Sequence, residues 1–332
     1  MSGERTSRVT RRKFLKTNGL GLLTAGLAGC TQSWGNSEEF PSEKIEMIVP
    51  WSAGGGTDRT GRKLAELAGN EMDTSFYVTN KTGGSGSVGF NAIANAKPDG
   101  YTVGVTTVEI CTISHLGIAD VSPNGLKPVM QYNFDPASLT VPEKAPYDSL
   151  DGFVKYAKKN PGKIRISNSG TGAIWHLSAA GFAQQAGIDV KHAGYDGGSP
   201  ATKAVLNGEV EATTASAAEV ASQVKDGPLK ILSVFGNERV SIFPNVPTLK
   251  EQGYDFTMGA WRGLTVPNET PDDRIKQLHD TYKSVYDSKT FESFMKQNGF
   301  GLVYRDTETF GSFMNEEHER FGNIIERLNL GN

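Results

Sequence analysis

Residues 45–58 read IEMIVPWSAGGGTD, a short apolar strand followed by a loop of three glycines. A helical pattern follows at once, with Leu64, Leu67 and Ala68 on one face. Residues 76–78 form a second strand pattern, which again runs into glycines and a short helix. A repeated order of strand, glycine loop and helix is typical of βα units with a mostly parallel sheet. The sequence therefore predicts an α/β protein.

The same order recurs in the second half of the chain. Residues 164–167 form a strand pattern, and residues 170–172 supply glycines before another helix. Ser199 and Pro200 predict a helix start, and residues 229–235 predict a further strand. Apolar residues at spacings of three, four and seven predict a last helix over 310–328 and place its aromatic side chains in the core. These two sets of βα units predict two α/β domains.

The N-terminal segment has the parts of an export signal: a basic start, a short apolar run and small residues before a cleavage site. The pair Arg11-Arg12, followed by Phe-Leu-Lys, is typical of the twin-arginine variant. Leu27-Ala28-Gly29-Cys30 resembles a lipobox, so Cys30 is the predicted lipidation site. Residues 1–29 are thus predicted to be a lipoprotein signal peptide, and 30–42 a polar tether. The alternative is an ordinary amphipathic helix.

Composition and charge narrow the classes of partner. The 332 residues carry a net charge of -3, so we expect no nucleic-acid partner. After Cys30 the sequence has no apolar run long enough to span a membrane, so the lipid is the predicted membrane anchor. If Cys30 carries lipid, Cys111 is the remaining cysteine of the two, and no disulfide forms within the mature chain. We predict that Cys111 is buried and inert.

A search for catalytic patterns favours a protein that is not an enzyme and needs no cofactor. The five histidines are scattered, and no cysteine pair has zinc-site spacing, so we expect no metal. Residues 84–89 fit G-x-G-x-x-G after a strand, and Glu109 lies twenty residues beyond Gly89. A dinucleotide fingerprint usually opens the first βα unit, whereas this match follows the second strand. An exported nucleotide-dependent enzyme is therefore the less favoured alternative.

Three glycine loops, at 54–58, 83–87 and 170–173, each precede a helix. Free backbone N–H groups and the helix dipole make such a position attractive to an anion. The loops contain no arginine, which suits a small carboxylate held by amides, hydroxyls and waters. Two lobes that present these loops to each other would form a clamshell. The alternative is that the loops are simply tight βα turns.

Several motifs carry a resemblance to one family. They are Val49-Pro50-Trp51-Ser52-Ala53-Gly54-Gly55-Gly56-Thr57-Asp58, Asn80-Lys81-Thr82-Gly83-Gly84-Ser85-Gly86, Ser169-Gly170-Thr171-Gly172-Ala173-Ile174-Trp175-His176-Leu177, Phe243-Pro244-Asn245-Val246-Pro247-Thr248-Leu249-Lys250-Glu251-Gln252-Gly253 and Trp261-Arg262-Gly263-Leu264. In this order they resemble the substrate-binding proteins of tripartite tricarboxylate transporters, the Bug-type extracytoplasmic solute receptors. The resemblance covers nearly all of residues 43–332. The chain departs from the family at Ala173, where serine is usual.

The resemblance implies a two-domain type II periplasmic-binding-protein fold, a clamshell with two crossover strands. Domain 1 would comprise residues 43–141 plus 262–332, and domain 2 residues 142–261. The implied function is to capture a small carboxylate solute and deliver it to membrane permease subunits. The alternative is a ligand-sensing partner of a signalling system.

The resemblance also implies a set of ligand-binding residues, contributed by the glycine loops and the segments beside them. They are Gly54, Gly55, Thr57, Asp58, Gly84, Ser85, Thr171, Gly172, Ala173, His176 and Tyr195. Three of them have structural alternatives. Asp58 would simply cap its helix, His176 would be buried and satisfied by backbone, and Tyr195 would pack at a hinge.

Overall fold

Two β-sheets organise the part of the chain that the computed structural model describes, residues 40–327. Their strands are β1 (Ile45–Val49), β2 (Phe76–Asn80), β3 (Thr102–Thr107), β4 (Leu126–Pro136), β5 (Ser138–Pro142), β6 (Arg165–Asn168), β7 (Lys191–Gly194), β8 (Ala212–Thr213), β9 (Leu229–Val234), β10 (Gly259–Pro267) and β11 (Leu302–Arg305). The predicted signal peptide, Cys30 and all but the end of the predicted tether lie outside the described residues.

The helices cover the faces of the sheets. They are α1 (Gly56–Glu71), α2 (Ser87–Ala94), α3 (Leu150–Lys159), α4 (Ile174–Ala186), α5 (Gly198–Leu206), α6 (Ala221–Lys225), α7 (Asp272–Asp287), α8 (Lys289–Asn298) and α9 (Thr307–Arg327). Within residues 40–327, no helix combines the length and the apolar character needed to cross a membrane.

One sheet has the strand order β11-β4-β10-β3-β1-β2, and the other has the order β7-β6-β8-β5-β9. We call the first sheet with its attached helices and loops lobe 1, and the second lobe 2. The chain passes from lobe 1 to lobe 2 at Ala137, between β4 and β5. It returns between β9 and β10. Two crossovers of this kind define a two-lobed clamshell, as the resemblance implied.

The prediction of a mostly parallel sheet is correct for only part of each lobe. Strand β1 pairs in parallel with β2 and β3, and β6 pairs in parallel with β7 and β8. The crossover strands run antiparallel, β10 against β3 and β4, and β5 against β8 and β9. All nine residues of β10 are buried. A strand buried on both faces lacks the alternation of apolar and polar residues by which a strand is recognised from sequence.

Helices begin after a capping side chain in some places and after a glycine in others. Ser149 caps α3, and its side chain accepts a hydrogen bond from the Gly152 N–H at 3.1 Å. Helix α5 begins at Gly198, one residue before Ser199, and Gly197 is its cap. Gly197 has a φ of 129°, a conformation that favours glycine, so the chain turns into α5 earlier than the Ser-Pro signal predicts.

The aromatic stripe of α9 packs in the core, as predicted. Phe310, Met314 and Phe321 are buried on the face that covers lobe 1. Cys111 lies under this helix, and its Sγ donates to the Met314 carbonyl at 3.3 Å. Burial raises the pKa of the Cys111 thiol well above its ordinary value. The prediction that Cys111 is buried is therefore confirmed, and such a thiol is expected to be inert.

Candidate functional site

The N-terminus of α1, in lobe 1, meets a carboxylate from lobe 2. The Gly56 N–H donates to Glu219 Oε1 at 3.0 Å. Gly198, which opens α5, packs against the same carboxylate, and a Cβ added there would come within 2.5 Å of Glu219 Oε1. Glycines on both sides thus allow the carboxylate to enter the space between the lobes.

The N-terminus of α4, in lobe 2, meets a carboxylate from lobe 1 in the same way. The Ile174 N–H donates to Glu109 Oε1 at 3.0 Å, and the Thr107 hydroxyl donates to Glu109 Oε2. Burial raises the pKa of Glu109 above its ordinary value, and these hydrogen bonds oppose the rise. Glu109 is the acidic residue that the nucleotide alternative required. Because α4 and Thr107 hold this carboxylate, it is not available to bind the ribose of a dinucleotide.

Backbone amides of the glycine loops are largely paired within the protein. The Gly54 N–H donates to Asp58 Oδ2 at 2.9 Å, and the Gly172 N–H donates to His176 Nδ1 at 3.0 Å. The Ala173 N–H donates to the Gly170 carbonyl at 3.1 Å. The expectation of free amides is wrong at these positions, as it is at Gly56. Buried amides must be paired, and here internal acceptors pair them.

Asp58 is bound to its own loop. It is 3% exposed, and its Oδ1 accepts from Arg62 Nε at 2.9 Å and from Asn80 Nδ2 at 2.8 Å. Burial alone would raise the pKa of Asp58, but the hydrogen bonds from Arg62, Gly54 and Asn80 hold it below its ordinary value. The Asp58 carboxylate therefore stabilises the turn before α1, and a contact to a solute stays a prediction.

His176 also supports a loop from within. Its ring is buried, and because Nδ1 accepts the Gly172 N–H, the neutral ring carries its proton on Nε2. The His192 ring lies edge-on with its centroid 4.6 Å away. Burial, and then the neighbouring His192, lower the pKa of His176 to about 4. His176 is therefore neutral at neutral pH and orders the loop before α4.

A buried arginine, which the sequence prediction missed, lies beneath the start of α1. Arg262, on β10, is 1% exposed and forms an ion pair with Asp135. Its Nε donates to Thr57 Oγ1 at 3.0 Å, and its Nη2 lies 4.0 Å from Glu219 Oε1. Burial alone would lower the pKa of Arg262, but Asp135 and Glu219 keep it above its ordinary value. A charged residue inside an otherwise apolar strand was the signal that could have identified it.

Further polar contacts join the lobes along the cleft. Ser85 Oγ donates to the Thr171 carbonyl at 2.6 Å, and the Ser52 N–H donates to the Asp196 carbonyl at 3.3 Å. Ser85 has a φ of 53°, so its loop keeps a left-handed residue at this contact. Together with the contacts of Glu109 and Glu219, these bonds hold the lobes against each other.

Three cavities lie along the cleft. The inner cavity, of about 20 Å³, lies among Thr57, Glu109, Ser169, Glu219 and Arg262. The α1-side cavity, of about 250 Å³, is lined by residues of α1, α5 and α6 and shares Gly55 and Glu219 with the inner cavity. The Gly84-side cavity, of about 340 Å³, is lined by residues of both lobes at the other end.

The predicted site residues divide among these cavities. Gly84, Ser85, Thr171 and Tyr195 line the Gly84-side cavity. In the α1-side cavity lie Gly54 and Gly55, and in the inner cavity Gly55 and Thr57. The remaining four predicted residues support the loops from behind and line none of the three cavities: Asp58, Gly172, Ala173 and His176.

The chemistry that the cleft offers is binding through carboxylates, hydroxyls, amides and arginine. Among residues 40–327, no group of three or more His, Cys, Asp or Glu side chains has an arrangement that could hold a metal ion. Glu109 and Glu219 are functional candidates that the sequence prediction did not include. Their spacing along the chain gives no hint that each caps a helix of the opposite lobe.

A family model described as "Tripartite tricarboxylate transporter family receptor" matches residues 60–330. Protein BugT of Bordetella pertussis is 27% identical over 319 residues, which cover 94% of this chain and 96% of that protein.

Solved structures agree with this match. A TctC solute-binding protein from Polaromonas is 34% identical, with a TM-score of 0.65 over 87% of this chain and 99% of that one. The periplasmic binding protein BugD is 25% identical, with a TM-score of 0.85 over 88% of this chain and 99% of that one. The clamshell predicted from the motifs is thus the fold of periplasmic binding proteins. The chain belongs to the tripartite tricarboxylate transporter receptor family, whose members are extracytoplasmic solute-binding proteins rather than enzymes.

Proposed function

We propose that this protein is a lipid-anchored receptor that captures a small carboxylate between its lobes and delivers it to the permease subunits of a tripartite tricarboxylate-type transporter. The predicted domains, residues 43–141 plus 262–332 and residues 142–261, would correspond to the two lobes, except that β5 belongs to lobe 2 and the start of β10 to lobe 1. One observation carries the proposal: across a single cleft, the N-termini of α1 and α4 each bind a carboxylate at 3.0 Å.

The architecture of these two contacts supports carboxylate capture. A helix N-terminus binds an anion through its N–H groups and its dipole. Here both carboxylates come from the opposite lobe, so each contact forms only when the lobes approach. A solute carboxylate bound between the lobes would draw them together by the same physical means.

The cavities in the cleft support a small solute. The Gly84-side cavity, of about 340 Å³, lies at the lower end of the size range of ligand pockets, roughly 300–1,000 Å³, and the α1-side cavity, of about 250 Å³, lies just below it. Both are lined by residues of the two lobes, so a solute in either contacts both halves of the clamshell. The predicted residues Gly55, Ser85 and Thr171 would form part of this contact surface.

Calorimetric titration of the purified protein with mono-, di- and tricarboxylates tests the proposal. We expect a subset to bind and to raise the melting temperature with increasing concentration. Gly55→Val should abolish this binding, because Gly55 lines two of the cavities. The variant should still fold, because a Cβ at this position meets only ordinary contacts, the nearest at 3.5 Å.

A matched control lies in a separate cavity of about 310 Å³, which is lined by Gln185, Phe256 and Arg320 away from the cleft. Gln185→Ala should bind the same acids as the wild type. If Gly55→Val binds the acids as tightly as the wild type, the loop before α1 is not part of the binding site. Absence of binding to every acid would contradict capture of a carboxylate, and turnover of any of them would make the protein an enzyme.

Fractionation of cells tests the anchor and the export route. Cys30→Ala should release the exported protein in soluble form, because the lipid is the proposed membrane attachment. Replacement of Arg11 and Arg12 by lysine should block export through the twin-arginine route. A Cys30→Ala protein that still sediments with membranes would contradict the lipid anchor, and normal export of the lysine variant would indicate the general secretory route.

A further inference from the structure

We propose that the inner cavity binds a protonated amine of the solute and that Glu219 is the residue that selects for it. The inference rests on the proposed function, because it names the chemical class of solute that the receptor would take: a carboxylate that also carries an ammonium group.

The charges around the inner cavity are the first support. The carboxylates of Asp135 and Glu219 share the guanidinium of Arg262, and Glu219 lines the inner cavity together with Glu109. Asp135 already pairs with that guanidinium, and Glu219 Oε1 lies 4.0 Å from it. The Glu219 oxygens that line the inner cavity would repel a further anion and attract a cation.

The hydrogen-bonding groups of the inner cavity also favour a cation. Glu219 Oε1 accepts the Gly56 N–H at 3.0 Å and retains acceptor capacity, whereas Oε2 accepts both the Ser216 N–H at 3.3 Å and the Ser216 hydroxyl at 3.5 Å. Ser169 lines the same cavity, is 4% exposed, and within the described residues its hydroxyl has no hydrogen-bond partner. A buried hydroxyl of this kind calls for a bound polar group. Carboxylate and hydroxyl oxygens together suit a donor such as –NH₃⁺.

Size narrows the choice further. The inner cavity holds about 20 Å³, close to the space that one water-sized group occupies, roughly 10–15 Å³ at minimum. An ammonium group has this size, whereas a carboxylate with its two oxygens needs more space.

The carboxylate of such a solute has its own place next to the inner cavity. The α1-side cavity shares Gly55 and Glu219 with the inner cavity and is also lined by Arg59 and Lys203. These two cations come from opposite lobes, Arg59 from α1 and Lys203 from α5. A solute with its ammonium group against Glu219 therefore finds positive charge for its carboxylate in the α1-side cavity.

Asp58, the carboxylate that the sequence places nearest the glycine loop, is not available for this role. Arg62, Asn80 and the Gly54 N–H already bind both of its oxygens. Glu219, in contrast, faces both cavities.

The test uses acids that differ only in the amine. L-Aspartate and succinate share one carbon skeleton, as do 4-aminobutyrate and butyrate. Each is titrated calorimetrically into the wild type, into Glu219→Gln and into Asp226→Asn, which removes an exposed carboxylate of the same lobe. Glutamine retains an acceptor for the Gly56 N–H but removes the charge.

We expect at least one amine-bearing acid to bind the wild type and Asp226→Asn about tenfold or more tightly than its partner, since a hydrogen bond between charged groups forms and no buried carboxylate is left unpaired. In Glu219→Gln this ratio should fall towards one. The affinity ratio measured with the wild type tests the inference by itself, whether or not the variants fold.

Opposite outcomes overturn the inference. If each acid without an amine binds the wild type as tightly as its amine-bearing partner, the inner cavity holds a water molecule. If Glu219→Gln tightens binding of both members of a pair, the Glu219 carboxylate of the wild type competes with the solute carboxylate for the N-terminus of α1. In either case carboxylate capture survives. If none of these acids nor any acid of the wider panel binds, both proposals fail.

Discussion

The N-termini of α1 and α4 face opposite ways across one cleft, and each is capped by a glutamate of the other lobe. At α1, Glu219 lies within 4.0 Å of the Arg262 guanidinium, which also bonds Thr57 in the first turn of the helix. At α4, the nearest charge-stabilising groups of Glu109 are the hydroxyl of Thr107 and the Ile174 N–H.

The surroundings of the two carboxylates suit them to different roles. At α1 the carboxylate belongs to a buried ionic network and lines two cavities, so it is suited to respond to the charge of a solute. At α4 burial raises the pKa of Glu109 and so favours its protonated form, although hydrogen bonds from Thr107 and Ile174 and the charge of Arg262 oppose the rise. We therefore expect the α1 end to determine selectivity and the α4 end to serve mainly as a structural latch.

Removal of the arginine should disrupt the α1 end most severely. Arg262→Met leaves Asp135 buried without its cation, and breaking a buried pair typically costs about 3–5 kcal/mol. Urea unfolding should show a loss of that order. Arg320→Met is a matched control, because Arg320 pairs with Glu317 on the surface and its loss should cost less than about 1 kcal/mol. Equal, small losses in the two variants would contradict the buried network.

Acid should lower the free energy of unfolding through His176, which orders the loop before α4. The folded pKa of about 4 lies below the ordinary value of 6.5, so the unfolded chain takes up a proton first as pH falls. The stabilising effect of neutral His176 is therefore complete above pH 6.5 and is lost as pH falls towards 4. His176→Asn keeps an acceptor for the Gly172 N–H and does not titrate.

The measurement is the free energy of unfolding against pH for both proteins. Between pH 6.5 and 4 the wild type should lose about 2 kcal/mol more than His176→Asn, on the order that a shift of this size implies. Parallel curves for the two proteins would show that the titration of His176 does not contribute to the loss of stability in acid.

A pair of glycine variants should locate the close contact at the α1 end. In Gly56→Ala the new Cβ would come 2.7 Å from Arg262 Nη2 and 3.0 Å from Glu219 Cγ, so the network must shift at a cost of about 2 kcal/mol. In Gly55→Ala the nearest atom is the Ser52 carbonyl oxygen at 3.5 Å, and the loss should stay below about 1 kcal/mol. Thermal unfolding of both variants measures the difference, and the reverse order would place the close approach elsewhere.

The sequence predicted what short-range patterns encode. The strand of residues 45–49, the glycine loop after it and the aromatic stripe of α9 all depend on residues close together in the chain. The residue pattern did not predict the antiparallel crossover strand β10, because this strand is buried on both faces and carries no alternation.

The candidate site was predictable only in part, for a related reason. Glycine loops show where a helix N-terminus lies, but not what occupies it. Glu219 reaches Gly56 across 163 residues of chain, and Glu109 reaches Ile174 across 65. Pairings of this length depend on how the lobes close, which no local pattern records. The motif around Trp261 contains Arg262, yet only the structure shows its bonds to Thr57 and Asp135.

The most direct test of the two caps is hydrogen exchange at two backbone amides, those of Gly56 and Ile174, followed by NMR in the wild type, Glu219→Ala and Glu109→Ala. We expect slow exchange of both amides in the wild type, because each donates to a carboxylate between the lobes. Glu219→Ala should speed exchange at Gly56 and leave Ile174 protected, whereas Glu109→Ala should do the reverse. If neither substitution changes the exchange of the amide it is said to cap, the opposite-lobe glutamates do not hold the helix ends, and the cleft is held closed by other contacts.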